Sequence, residues 1–171
     1  GYNADVLIRW GDRVLADASA FDPYRQTPAA QARQFGYNND FLGFIPHDGS
    51  SEHGLLVVNH EYTNEELMFP GVGRQDTTRF AMMTGALAGI EMMAHGGSVI
   101  EVRKSGGTWS VVTRSRYNRR ITAETDMRIS GPAAGHALMR TKADPTGAWV
   151  RGMLNNCSGG ITPWGTWLTC E

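Results

Sequence analysis

The sequence has little net charge and no long hydrophobic run, and each absence excludes a class of protein. Sixteen Lys and Arg residues against 17 Asp and Glu residues leave a formal net charge of −1. This balance gives no electrostatic attraction to nucleic acid or to an anionic membrane surface. No stretch approaches the roughly 18 consecutive apolar residues that a membrane span requires. We therefore expect no nucleic-acid partner and no membrane span.

Cysteine and proline are also scarce, with two and seven residues, whereas glycine reaches 21 of 171. Abundant glycine favours many turns and short strands over a helical bundle. The two thiols, Cys157 and Cys170, are compatible with a disulfide, with two core residues, or with one ligand and one core residue. The chain begins at Gly1 without the charged and apolar regions of a signal peptide, which we expect to be absent or already removed.

The pattern of apolar and turn residues predicts an all-β chain with long loops and one inserted helix. Runs rich in β-branched and aromatic residues predict strands at 4–10, 41–45, 54–59, 98–103, 108–113 and 166–169. Short glycine-containing turns join two pairs of them into hairpins, 41–59 and 98–113. Because no internal repeat has a fixed period, this pattern alone leaves a sandwich and a propeller open.

The helix is predicted at about 78–95, followed by Gly96 and Gly97. Its evidence is a set of apolar residues spaced by three and four positions, which is typical of one helix face: Phe80, Met83, Leu87, Ile90 and Ala94.

Three polar clusters lie at the ends of predicted strands: 38–40 (Asn-Asn-Asp), 59–61 (Asn-His-Glu) and 170–171 (Cys-Glu). Oxygen-rich clusters suit hard cations such as calcium, and a thiolate suits iron, zinc or copper. No spacing matches a zinc finger, an EF-hand, a Walker loop or a GxSxG elbow. A site for more than one metal is therefore one hypothesis among others.

The other interpretations are structural. Residues 38–40 are typical of a turn whose side chains bond their own backbone, and 59–61 of a polar strand cap. Cys157 is more often a small buried hydrophobe or half of a disulfide than a ligand, and Cys170 could equally be a core thiol. Trp164 and Trp167 are expected to anchor a core. Four histidines without a nearby second ligand are interpreted as surface or core residues: His47, His53, His95 and His136.

Five strings of the sequence together resemble one family. They are GYNADVLIRWGD (1–12), FGYNND (35–40), VNHEYT (58–63), NNCSGG (155–160) and TPWGTWLTCE (162–171). In this order they resemble the N-terminal part of the PhoX-type bacterial alkaline phosphatases, and the resemblance extends from residue 1 to residue 171.

This resemblance implies a β-propeller enzyme that hydrolyses small phosphate monoesters and is exported by the twin-arginine route to the periplasm or beyond. It also implies a mixed iron and calcium cluster in which a cysteine bridges the irons. The family's metal-binding cysteine falls on Cys170 and the following carboxylate on Glu171. The 59–61 string matches a further family motif, so Asn59 and Glu61 are predicted metal ligands too. No catalytic residue can be assigned in this way.

Length is the one departure, because the family is several hundred residues long. We therefore expect 1–171 to be an N-terminal fragment of a single β-propeller domain, inactive alone. Two alternatives stay open on the sequence. One is a calcium-dependent propeller hydrolase of the lactonase or phytase kind. The other is a non-catalytic secreted propeller that binds a partner, with Cys157 and Cys170 joined as a disulfide.

Overall fold

The computed structural model describes residues 1, 4–76 and 78–170. The strands within these residues are β1 (Asn39–Pro46), β2 (His53–His60), β3 (Gly96–Ser105), β4 (Thr108–Val111), β5 (Arg119–Ile121), β6 (Asp126–Arg128), β7 (Trp149–Arg151), β8 (Gly159–Ile161) and β9 (Trp167–Thr169). The helices are α1 (Pro28–Gln31), α2 (Glu65–Met68) and α3 (Gly85–Ala94), with a 3-10 turn at Ala137–Met139.

The main sheet is antiparallel throughout, in the order β1-β2-β3-β4, and β5 also pairs with β3. Strands β4 and β5 share one edge of β3: β4 pairs with residues 102–105 and β5 with residues 97–99. Two separate hairpin-like pairs, β6-β7 and β8-β9, complete the described strands. The described part of the chain is therefore mostly β with few helices, and its sheets do not close into a ring.

Both faces of the central strands are covered, which explains the continuous apolar run of β2. On one face Val58 and Ile100 pack with Phe35 and Val14 in the main core. On the other face Val57 and Val99 are buried as well, at 2% and 1% exposure. The β8-β9 pair lies against this second face, because a Cβ added at Gly43 would meet Ile161 and one at Gly97 would meet Trp167.

Helix α3 supplies the second core and leads directly into β3. Ile90 and Ala94 pack with Met68 and Phe69. The Thr84 hydroxyl accepts a hydrogen bond from Leu87 N and so caps the helix start. Only His95 separates α3 from β3. Among the described residues no helix is long and apolar enough to cross a membrane.

The two predicted hairpins are confirmed. Strands β1, β2 and β3 extend one or two residues beyond their predicted ends, whereas β4 ends at Val111 rather than at residue 113. The predicted helix exists but begins at Gly85 rather than near residue 78, because Phe80 has a positive φ of 45° and Thr84 is extended. The predicted strand at 4–10 is wrong. Leu7 and Ile8 pack against the main core from a segment that no described strand pairs with. Trp164 is also no core anchor, since it is 78% exposed.

Candidate metal centre

One group of acidic and thiol side chains among the described residues could hold a metal ion: Asp40, Glu61 and Cys157. One potential ligand atom from each lies within 4.8 Å of the others. Asp40 is exposed, while Glu61 and Cys157 are partly buried. The cluster is therefore open to solvent on the Asp40 side and backed by protein on the other.

Backbone pairing brings these three residues together from distant parts of the sequence. Asp40 lies in an irregularity of β1, where the register with β2 shifts between Asn39 and Leu42. Glu61 directly follows β2, and its N–H donates to Asn38 O at 3.0 Å. The carbonyl of Cys157 accepts from Phe41 N at 3.2 Å. Each ligand thus lies next to a hydrogen bond that joins its segment to that of another ligand.

Two asparagines with left-handed backbones precede the cluster. Asn38 has φ of 45° and Asn155 has φ of 58°, and each lies two positions before a cluster residue, Asp40 or Cys157. Asparagine is one of the few non-glycine residues that adopts this conformation readily. The asparagines of the two predicted strings therefore allow the sharp turns from which Asp40 and Cys157 reach the same point.

Asn59 lies behind the cluster and is completely buried. Its Nδ2 donates to Cys157 O at 2.8 Å and to Ser158 O at 3.0 Å. Its Oδ1 has no hydrogen-bond partner among the described residues, although it is shielded from solvent. A buried amide oxygen without a partner is costly unless a cation or a water compensates it.

His60 is the next residue and is also completely buried. Its Nδ1 lies 2.9 Å from Asn39 Oδ1, and its Nε2 lies 2.7 Å from Ser98 Oγ. The ring stands edge-on to Phe35, with the centroids 4.7 Å apart. Burial first, and then the nearby charges of Arg120 and His95, lower the pKa of His60 well below its ordinary value. The imidazole is therefore neutral at neutral pH.

Arg120 lies behind His60 with its guanidinium enclosed, although the residue as a whole is partly exposed. It donates to Ser98 Oγ at 3.1 Å and also to three backbone carbonyls, at 2.7 to 2.9 Å: Gly97 O, Met93 O and His95 O. Burial lowers the pKa of Arg120 to about 9. In the described part of the chain, no ion pair compensates this charge.

The structure places the predicted ligands as follows. Glu61 belongs to the cluster, and Asn59 contacts the backbone of Cys157. Cys170 is exposed and outside the cluster, but its N–H donates to Ser158 O at 3.0 Å, so its backbone lies beside the residue that follows Cys157. Glu171 lies outside the described residues. Both cysteines are free thiols, and the disulfide considered from the sequence is not formed.

The donor set of the cluster fits a metal ion. Two carboxylates and a thiol so close together repel one another once ionised, and a cation relieves that repulsion. Carboxylate oxygens suit calcium or iron, and the thiolate adds a ligand that favours a transition metal. From the sequence alone, residues 38–40 are expected to form a turn and Cys157 to be a small buried hydrophobe or half of a disulfide. Their shared location depends on pairing that becomes visible only in three dimensions.

Comparison with known proteins identifies the family of this chain. The family model described as Alkaline phosphatase PhoX matches residues 1–171. A solved structure, Pseudomonas fluorescens PhoX in complex with vanadate, a transition state analogue, is similar with a TM-score of 0.84 and 43% sequence identity. The similarity covers 98% of this chain and 28% of that chain, so the sequence spans less than a third of that PhoX. No curated protein sequence matches. The family match over the whole sequence and the close structural similarity together show that the chain belongs to the PhoX alkaline phosphatase family.

Proposed function

We propose that the protein is a metal-dependent phosphatase that hydrolyses small phosphate monoesters and releases inorganic phosphate. The observation that carries the proposal is the Asp40, Glu61 and Cys157 cluster in a chain of this family. The similar Pseudomonas fluorescens PhoX was solved with vanadate, a transition state analogue, which supports a site for a phosphoryl group in the full protein.

The metals that we propose are iron and calcium, because the donor set combines a thiolate with carboxylates. Asp40, Glu61 and Cys157 would hold them, and the unpartnered Oδ1 of Asn59 is available as a further oxygen ligand. Cys170, whose N–H donates to Ser158 O beside Cys157, would add a further ligand, and Glu171, which follows it in the sequence, would complete the set.

A bound metal centre supplies positive charge to the transferring phosphoryl group, whose uncatalysed hydrolysis is extremely slow. The residues of this chain hold the ligands in place. Neutral His60 and buried Asn59 back the cluster with fixed hydrogen bonds, so the ligands need not reorganise when substrate arrives. The exposed side at Asp40 leaves room for a small substrate to approach.

We further propose that residues 1–171 belong to a single β-propeller domain and supply its N-terminal part. The similarity over 98% of this chain to a part of PhoX supports this assignment. Activity is assigned to the protein at its natural length and not to residues 1–171 alone, because these residues correspond to only 28% of that PhoX. A periplasmic or secreted location, reached by twin-arginine export, is the proposal that accompanies family membership.

Two cysteine variants of the natural-length protein test the metal assignment. Cys157→Ser and Cys170→Ser are each expected to lose iron and to lower phosphatase activity roughly 100-fold or more, because a hydroxyl is a poor replacement for a thiolate as a metal ligand. Elemental analysis counts iron and calcium per chain, and hydrolysis of p-nitrophenyl phosphate measures activity.

The results separate the alternatives. A variant that keeps its iron and its activity removes that cysteine from the ligand set. Calcium without iron in the unmodified protein would point instead to a calcium-dependent hydrolase. A natural-length protein that holds no metal and hydrolyses no monoester would overturn the proposed function as a whole.

A further inference from the structure

Asn59, His60 and Glu61 lie consecutively at the end of β2 and just beyond it, beside or within the candidate metal centre. We infer that Asn59 and His60 are positioning residues: Asn59 holds Cys157, His60 holds the segment of Asp40, and Glu61 supplies its own carboxylate. This inference rests on the proposed function for the identity of the bound group. It assigns a separate task to each residue of the Asn-His-Glu string.

The carbonyl of Cys157 lies between the segments that carry the other two candidate ligands. It accepts two hydrogen bonds, from Phe41 N at 3.2 Å and from Asn59 Nδ2 at 2.8 Å. Phe41 is next to Asp40 in β1, and Asn59 is two residues before Glu61. The peptide that carries Cys157 is therefore tied to the segments of both other ligands, and both lone pairs of its carbonyl are used.

Asn59 Nδ2 donates in addition to Ser158 O at 3.0 Å. One amide group that contacts two successive carbonyls restricts the rotation of the peptide between them. The direction in which the Cys157 side chain leaves the backbone is thereby fixed. Since Asn59 is completely buried, no water competes for these bonds.

His60 joins the segment of Asp40 to the buried guanidinium of Arg120 through hydrogen bonds on both of its ring nitrogens. The guanidinium of Arg120 can only donate, so Ser98 Oγ accepts from it at 3.1 Å. Because Asn39 Oδ1 is an acceptor, His60 Nδ1 carries a proton and donates it over 2.9 Å. His60 Nε2 lies 2.7 Å from Ser98 Oγ, which joins the ring to Arg120 through the same hydroxyl.

The result is a continuous hydrogen-bond chain from Arg120 through Ser98 and His60 to Asn39. Asn39 directly precedes Asp40 and lies where the β1 register shifts. A fixed Asn39 side chain holds this irregular turn, and the turn is what brings Asp40 towards Glu61. Outer partners that orient ligands in this way are a common requirement of metal sites.

Another buried asparagine offers a matched control for Asn59. Asn118 is 8% exposed and its Nδ2 also donates to two carbonyls, Val14 O at 3.1 Å and Val112 O at 2.9 Å. It lies away from the cluster, between the main core and the end of β4. If Asn59 mattered only for the fold, Asn59→Asp and Asn118→Asp would have the same consequences.

The test compares Asn59→Asp with Asn118→Asp in the natural-length protein. An aspartate at position 59 keeps the oxygen but replaces the donating nitrogen with a second oxygen that repels both carbonyls. We expect Asn59→Asp to weaken iron binding roughly 10- to 100-fold in a chelator competition, and Asn118→Asp to leave it unchanged. In metal-free protein, alkylation of Cys157, followed by mass spectrometry of its peptide, is expected to accelerate only in Asn59→Asp.

Ser98→Ala is the milder second variant, in case Asn59→Asp does not fold. It breaks the chain between Arg120 and His60 without touching the Cys157 peptide. We expect iron binding to weaken about tenfold while the alkylation rate of Cys157 stays unchanged. This combination separates the two positioning tasks from a general loss of stability, which would alter both measurements.

Three results would overturn the inference. Unchanged or tighter iron binding in Asn59→Asp would show that the hydrogen bonds donated by Asn59 Nδ2 are not needed to hold the metal ligands. Equal weakening in Asn59→Asp and Asn118→Asp would show a general effect on the fold. If the unmodified protein bound no metal, the proposed function would fail separately. The alkylation measurement would still apply, because an unchanged alkylation rate of Cys157 in Asn59→Asp would refute the positioning role of Asn59 by itself.

Discussion

Strand β2 carries a histidine at each end, and the two side chains are held in opposite ways. At its start, His53 Nε2 lies 2.7 Å from Glu101 Oε1 and the ring lies 4.8 Å from that of His47. The His53 side chain is 20% exposed. At its end, His60 is completely buried between Asn39 and Ser98, and neither of these partners is charged.

The two ends of β2 therefore lie in different environments, one partly open to water and the other buried beside the candidate metal centre. His53 has a carboxylate partner and some access to water, so its contribution to stability is modest. His60 has neutral partners in a dry environment, where a satisfied network is rigid and an unsatisfied group is costly. The end that bears candidate ligands is thus the rigid end of the strand.

Removing each imidazole should give the largest contrast between the two ends. His60→Ala deletes a buried ring, leaves a cavity beside Phe35 and strips Asn39 and Ser98 of a partner. We expect a loss of about 3 kcal/mol or more in the free energy of unfolding. His53→Ala removes a partly exposed contact with the Glu101 carboxylate and should cost about 1 kcal/mol or less. Urea denaturation of both natural-length variants at pH 7 measures the two losses.

His53→Ala is the matched control, since it removes the same side chain from the same strand. Similar losses in the two variants would contradict the division of β2 into a rigid, fully buried end and a partly exposed end.

A smaller effect is expected from filling the space between the site end of the sheet and the β8-β9 pair. A Cβ on Gly97 would overlap the Trp167 ring, whereas a Cβ on Gly160 would have nothing within 4 Å. Gly97→Ala forces Trp167 and its strand outward, and we expect a loss of about 1–3 kcal/mol in the free energy of unfolding. Gly160→Ala should change it by about 0.5 kcal/mol or less.

Thermal or urea denaturation of the two glycine variants decides this prediction. If Gly97→Ala left the free energy of unfolding unchanged, the β8-β9 pair would not pack as closely on the sheet as the contact between Gly97 and Trp167 indicates.

Part of the candidate site could be predicted from the sequence, because β1 and β2 are joined by a recognisable turn. In that turn His47 N donates to His53 O at 2.9 Å. Counting away from the turn along both strands brings residue 39 beside residue 60, with an offset of one residue at the irregularity of β1. The 38–40 and 59–61 strings were therefore predictable neighbours.

Cys157 could not be placed by the same reasoning. It lies almost a hundred residues after Asn59, and its position depends on how the β8-β9 pair packs on the sheet. The spacing of apolar residues predicts local secondary structure, and it cannot predict such a long-range contact. The strand predicted at 4–10 failed for a related reason, since Leu7 and Ile8 satisfy an extended apolar pattern by packing on the core without pairing.

The smallest expected effect concerns the His53 end and its dependence on pH. The Ser115 hydroxyl first, and His53 second, hold the pKa of Glu101 below its usual value of 4.5. A carboxyl whose pKa is lower in the folded than in the unfolded state stabilises the fold above the unfolded pKa, and this contribution disappears as pH falls through the folded pKa.

Glu101→Gln should therefore cost about 1 kcal/mol or less at pH 7, and the difference from the unmodified protein should shrink as pH falls below 4.5. Urea denaturation at a series of pH values between 3 and 7 measures it, with iron content as the control. We expect unchanged iron content, because Glu101 lies on β3 and contacts His53 at the start of β2, whereas Glu61 follows the end of β2. A difference that grew towards low pH would reverse the sign and refute the pairing, and a loss of iron would show that the two ends of the strand are not independent.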